Sequence, residues 1–232
     1  MEDSYVELQV KDGGVMRAFV ARPDGDIKSG IILFQEAFGV NAHIRDMAER
    51  FAKEGYLSIA PELFHRTAPG FESEYVEKIG VAEQMTALTD EGLISDAEAA
   101  YAWLKSAGIE ERAIGAVGYC MGGRTAYLAN TKLPLAGVVS YYGGGIAKHL
   151  DLAQSMHGPL LMYWGGKDTH IPQSDINAIT DKLTSLEKAY TKVVFSYAGH
   201  GFSCDARASY NKKAASEARA MTLQFLANTI GK

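Results

Sequence analysis

From Tyr5 to Val10 apolar and polar residues alternate, and they alternate again from Met16 to Ala21. Lys11-Asp12-Gly13-Gly14 between them carries turn chemistry, so a β-hairpin of two half-buried strands is predicted. Gly30 to Phe34 is a short unbroken apolar run, the pattern of a strand covered on both faces. Ile44, Met47, Ala48, Phe51 and Ala52 then recur at helical spacing, with Gly55 placed to end the helix. Tyr56 to Ala60 reads as the next strand, stopped by Pro61. Residues 62–91 are the least regular part and predict a loop with a short helix over the top of the sheet. Beyond them the pattern gives a helix from Leu93 to Ala107, a strand from Ala113 to Tyr119 and a helix opening near Met121. Strands follow at Ala136 to Tyr142 and Pro159 to Trp164, then a helix at Ile176 to Leu186. A strand at Lys192 to Tyr197 and a long helix from Ser209 to Asn228 close the chain.

Strand and helix alternate after the hairpin, which indicates an α/β fold: a mostly parallel, doubly wound sheet with helices on both faces. No linker, repeat or low-complexity segment interrupts it, so residues 1–232 are read as a single domain. The 47% hydrophobic content is enough for a large core, and 22% charged is ordinary for a soluble globule. A net charge of −5 argues against a nucleic-acid partner, which would require a basic footprint. The acidic N-terminus lacks the apolar segment of a secretory signal, and apolar stretches stop short of the ~18 residues that span a membrane. With only Cys120 and Cys204 and no paired metal motif, the expectation is a cytoplasmic protein with reduced thiols.

Gly118-Tyr119-Cys120-Met121-Gly122-Gly123 sits between an apolar strand and a helix. It has the G-x-S-x-G pattern of a nucleophile elbow, with cysteine in place of serine. A strand turning sharply into a helix crowds its neighbours, and Gly118 and Gly122 have no Cβ to clash. The helix N-terminus offers the Met121 amide to developing negative charge. Downstream, Asp168 follows the strand ending at Trp164, and His200 follows the strand ending at Tyr197. Both lie at the C-terminal ends of strands, where open α/β sheets place their sites. The order Cys120, Asp168, His200 is the nucleophile, acid and base order of α/β-hydrolases. His170 has no companion ligands at sensible spacing, and Gly165-Gly166-Lys167 is not a phosphate loop, so neither a metal nor a cofactor is expected. Cys204 reads as a bystander thiol.

Several stretches together resemble the dienelactone hydrolase family of the α/β-hydrolase fold. They are Gln35-Glu36-Ala37-Phe38-Gly39-Val40-Asn41, Ala60-Pro61-Glu62-Leu63, the elbow itself, Tyr141-Tyr142-Gly143, Trp164-Gly165-Gly166-Lys167-Asp168 and Ala198-Gly199-His200-Gly201-Phe202. The resemblance implies hydrolysis of a small ester or lactone by Cys120, His200 and Asp168 through a thioacyl-enzyme. It adds Glu36 as a partner in activating the thiol and the Ala37 and Met121 amides as the oxyanion hole. It also implies a monomer or weak homodimer. Founding members hold an anionic lactone with two arginines, one before the long helix and one after the histidine. Here no arginine lies between Thr67 and Glu111, where only Lys78 and Lys105 are available, while Arg207 could take the second position. Neutral and anionic esters therefore both remain open. Tyr141, Tyr142, Phe38 and Phe202 are candidate pocket walls. The competing readings are an acyltransferase, a non-hydrolytic binding protein on the same fold, and a thiol sensor.

Overall fold

The computed structural model describes residues 4–231; Met1 to Asp3 and Lys232, counted in the domain expected from the sequence, lie outside the described residues. The hairpin forms as β1 (Ser4–Gln9) antiparallel to β2 (Val15–Ala21), with Leu8 opposite Met16. The apolar runs become β3 (Ser29–Phe34), β4 (Tyr56–Pro61), β5 (Ile114–Tyr119), β6 (Gly137–Tyr141) and β7 (Leu160–Gly165), every residue of which is buried. Burial on both faces follows from helices packed on each side of the sheet. β8 (Tyr190–Phe195) is the edge strand and keeps a mixed, partly exposed pattern.

The eight strands lie in the order β1-β2-β4-β3-β5-β6-β7-β8, parallel from β4 onward. From β3 the chain moves one way to β4 and then returns to place β5 on the other side. The topological switch point therefore falls between β3 and β5, and a crevice opens beyond their C-terminal ends. This is the α/β-hydrolase fold. The flanking helices are α1 (Ala42–Lys53), α2 (Val81–Ala87), α3 (Asp90–Ser106), α4 (Met121–Asn130), α5 (Gln173–Ser185) and α6 (Lys212–Thr229). Asn41, Thr89 and Asn211 cap α1, α3 and α6 by accepting from amides three residues on.

Three local expectations are corrected. Pro61 does not stop its strand; it is the last residue of β4, opposite Ala18, an end position where a missing donor is tolerated. The final strand lies two residues earlier than its apolar pattern suggested, because Ser196 and Tyr197 turn away after Phe195. A 3-10 segment, Ile146–Ser155, was not anticipated; it follows Gly145 at φ 85. Among the described residues no helix is long and apolar enough to cross a membrane.

Candidate active site

Cys120 stands between β5 and α4 with φ 56 and ψ −118, a conformation that costs an L-residue about 1–3 kcal/mol. The surroundings hold it there. Its amide donates to the Tyr141 carbonyl at 2.9 Å, and the Gly123 amide returns to the Cys120 carbonyl at 2.9 Å. A Cβ on Gly118 would sit 1.9 Å from the Gly122 carbonyl oxygen, and one on Gly122 would sit 2.3 Å from that of Phe34. The glycines expected from the sequence are thus required by backbone-to-backbone contact.

His200 and Asp168 reach the thiol from neighbouring strand ends. His200 Nε2 is 3.1 Å from Cys120 Sγ, and Nδ1 is 2.8 Å from Asp168 Oδ2. The other Asp168 oxygen accepts from the amides of His170 and Ile171 at 2.7 and 3.3 Å, fixing the carboxylate in one orientation. Burial works against charge on the imidazole, but the hydrogen bonds to Asp168 and Cys120 outweigh it and raise the His200 pKa to about 10. Burial likewise opposes ionisation of Asp168, yet the imidazole and the two amides bring its carboxyl below the usual value. The three groups form a connected chain from carboxylate to sulfur.

The thiol opens into a cavity of about 310 Å³ lined by Ala37, Phe38, Val81, Met85, Met121, Ile171 and their polar neighbours. Ala37 and Met121 both face it, and among the described residues neither amide is spent on a protein acceptor. Three cationic side chains reach the same cavity: Lys78, Arg124 and Arg207. Arg124 has its Nε buried without a hydrogen-bond partner among the described residues. It stands four residues after Cys120 on α4, one helical turn from the elbow. That spacing was visible in the sequence but was not used. His170, set aside as a false metal ligand, lies at the rim with its ring 5.2 Å from that of His200.

The sequence resembles the dienelactone hydrolases, and the profile of that family matches residues 16–230. The chain belongs to the dienelactone hydrolase family. Relatives include a Synechocystis protein named "putative carboxymethylenebutenolidase", 37% identical over 199 residues, 81% of each chain. A Salmonella typhimurium protein of the same name is 32% identical over 233 residues, covering 95% of this chain and 85% of its own. Among solved structures, a Klebsiella pneumoniae protein described as a "putative dienelactone hydrolase" superposes with a TM-score of 0.87 at 29% identity, over 98% of this chain and 99% of that one. Membership places the protein among the carboxylic ester hydrolases.

Within this dienelactone hydrolase frame, the remaining candidates fall in two groups. Phe38 and Arg207 line the cavity as expected. Tyr141, Tyr142 and Phe202 do not; all three are fully packed in the core behind it. Tyr141 is stacked between Tyr119 and Tyr163 with ring centres 4.7 Å apart on each side, and its hydroxyl pairs with Thr222 of α6 at 2.7 Å. Tyr142 turns its ring beneath His200, 5.0 Å away, and against Phe202 at 5.2 Å. Tyr142 packs against the imidazole, and Tyr141 and Phe202 back Tyr142 in the core; none of the three lines the cavity.

Glu36 is fully buried and does not touch the thiol. Its Oε1 accepts from Arg207 Nη1 at 3.0 Å, and its Oε2 has no partner among the described residues. Beside it stand His43 and Cys204, with ligand-capable atoms of all three within 4.8 Å of one another. Sequence reasoning missed this grouping, since His43 was not singled out and Cys204 read only as a bystander.

Proposed function

We propose that the protein hydrolyses small carboxylic esters or lactones with Cys120 as nucleophile, His200 as the proton carrier and Asp168 as the residue that orients and charges the imidazole. The observation that carries this reading is the unbroken contact from Asp168 through His200 to Cys120 Sγ at the mouth of a cavity. Proton transfer from Cys120 to His200 Nε2 leaves a thiolate beside an imidazolium. The thiolate attacks the ester carbonyl, a C–S bond forms, and negative charge moves to the carbonyl oxygen. The Ala37 and Met121 amides, from residues that both line the cavity, are the donors assigned to that oxygen, and one such donor is worth roughly 2.7–4 kcal/mol in related chemistry. The imidazolium then gives its proton to the departing oxygen as the C–O bond breaks. In the second half His200 takes a proton from water, the resulting hydroxide cleaves the thioester, and the thiol is restored.

The lining of the cavity favours a substrate with a carboxylate. Arg124 is placed to bind an anion, Lys78 adds charge at the edge, and the volume suits a small molecule. Arg207 is shared with Glu36, so a substrate carboxylate drawn to it competes for the guanidinium. Glu36, once released, is available to accept the thiol proton, which would couple activation to the presence of substrate.

The test is hydrolysis of a chromogenic aryl ester by the wild type and by Cys120→Ala, with mass spectrometry of the enzyme quenched during turnover. The expected result is a loss of about 10³-fold or more in kcat/KM and an acyl adduct on Cys120 in the wild type. Full activity in Cys120→Ala would refute the reading.

A further inference from the structure

Beside the Cys120 site, the buried Glu36 and His43, which stand next to Cys204, are less completely satisfied than groups in such a place ordinarily are. The His43 side chain is only 2% exposed, and neither ring nitrogen has a hydrogen-bond partner among the described residues. Asp205 Oδ1 lies 3.6 Å from His43 Nδ1, too far for a hydrogen bond but close enough to add negative charge. Glu36 Oε2 is likewise buried and unpaired. Buried polar atoms without partners are rare in native proteins, and each asks for an explanation. Here two side chains with orphaned atoms face the same small volume, together with a buried thiol.

Thiol, imidazole and carboxylate are the ligand types that a borderline-soft divalent cation selects. We propose that Glu36, His43 and Cys204 form a binding site for a zinc-like divalent cation, separate from the Cys120 thiol, whose occupancy competes with Arg207 for the Glu36 carboxylate. At zinc bond lengths of about 2.0–2.3 Å, tetrahedral ligand atoms lie roughly 3.3–3.8 Å apart, so a set within 4.8 Å closes by shifts of about an ångström. As the metal–sulfur bond forms, the Cys204 thiol releases its proton to solvent, and no electron changes hands. A fourth position is left for water.

Access and charge fit a cation. A separate cavity of about 250 Å³ is lined by His43 and Tyr75 together with Glu72 and Glu74, and reaches Ala206 beside Asp205. It opens an acid-lined way to the imidazole and shares no lining residue with the cavity that holds Lys78, Arg124 and Arg207. Among the described residues Arg207 is the one cation bonded to Glu36, and a divalent ion there would loosen it toward the substrate cavity it already lines.

Cobalt(II) is the probe, because a cobalt–thiolate bond absorbs in the near ultraviolet and a low-symmetry cobalt site absorbs in the visible. Metal-free wild type titrated with cobalt is expected to develop both bands with a one-to-one endpoint. The bands persist in Cys120→Ser, vanish in Cys204→Ser, and require at least about tenfold more cobalt in His43→Ala. Should Cys204→Ser fail to fold, wild type alkylated at Cys120 with iodoacetamide gives the same reading, with the thiolate band retained. Absence of a saturable thiolate band in the wild type overturns the proposal. So does a band that is lost in Cys120→Ser or on alkylation of Cys120, which would place the metal on the His200 side.

Discussion

The two cysteines of this chain occupy opposite chemical situations within one site. Cys120 is held on a strained turn at the end of β5, half-buried, with an imidazole at 3.1 Å and an open cavity in front of it. Cys204 is fully buried, and burial, with the Glu36 carboxylate adding to it, pushes its thiol up to about 11. A protonated, enclosed thiol is a poor nucleophile, whereas one beside an imidazole that readily carries charge is a good one. Proximity to a histidine does not separate them, since Cys204 also has one close by. The difference lies in what stands behind each histidine. His200 is charged by Asp168 through a 2.8 Å hydrogen bond, while the His43 pKa is lowered by burial, which the neighbouring carboxylates only partly offset.

The largest effect expected from this contrast is in catalysis. Cys120→Ala should lose about 10³-fold or more in kcat/KM, while Cys204→Ser assayed in metal-free buffer stays within about threefold of wild type. Comparable losses in both would erase the distinction. Next in size, Asp168→Asn keeps the shape of the hydrogen bond but removes its charge, and a drop of about 10²–10⁴ in kcat is expected, by analogy with other triads. Iodoacetamide followed by peptide mass spectrometry should label Cys120 at least about tenfold faster than Cys204 in the folded protein, the gap closing in denaturant.

A smaller effect concerns substrate choice. Arg124→Ala should raise KM about tenfold for a carboxylated ester and leave that for its neutral methyl ester unchanged, because only the former presents an anion to the guanidinium. An equal change in both would mean that Arg124 packs against the pocket without reading charge.

The smallest effect is on stability. Because the His200 pKa is raised to about 10, its protonation favours the folded state. That contribution is complete below the unfolded value of about 6.5 and is lost as pH rises through about 10. The melting-temperature advantage of wild type over Asp168→Asn should therefore shrink by a few degrees between pH 6.5 and pH 10. Asp168 itself, with its lowered pKa, stays ionised over that window and does not blur the comparison.

How far these features could be read beforehand depends on their range along the chain. The hairpin, the buried strands and the elbow are written in short windows, as alternation, as unbroken apolar runs and as glycines around Cys120. The positions of Asp168 and His200 follow from strand ends, so order alone pointed to the hydrogen-bonded chain they form with Cys120. β8 was misplaced because an edge strand half in solvent carries little apolar signal, and Tyr197 simply extended it. Tyr141, Tyr142 and Phe202 could not be assigned to pocket or core, since that depends on which way a side chain leaves the end of β6 or the loop after β8. Tyr142 takes φ 39 there, which no pattern announces. The Glu36 surroundings were hidden for a different reason. Arg207 is 171 residues away, and its neighbours Cys204 and Asp205 arrive on the same loop, so only the folded sheet brings them to β3.

The elbow glycines carry one more implication, for how such a protein changes over time. Gly118 and Gly122 touch main chain, so their identity is fixed by the shape of the scaffold whatever reaction it supports. Cys120, at the apex between them, opens onto the cavity and meets the main chain through its amide and carbonyl, while its thiol meets only His200 by hydrogen bond among the described residues. A side chain of similar size at that place would leave the contacts of Gly118 and Gly122 unchanged. The fold thus keeps its choice of reagent separate from its architecture, and a lineage can revise the first while the second stays still.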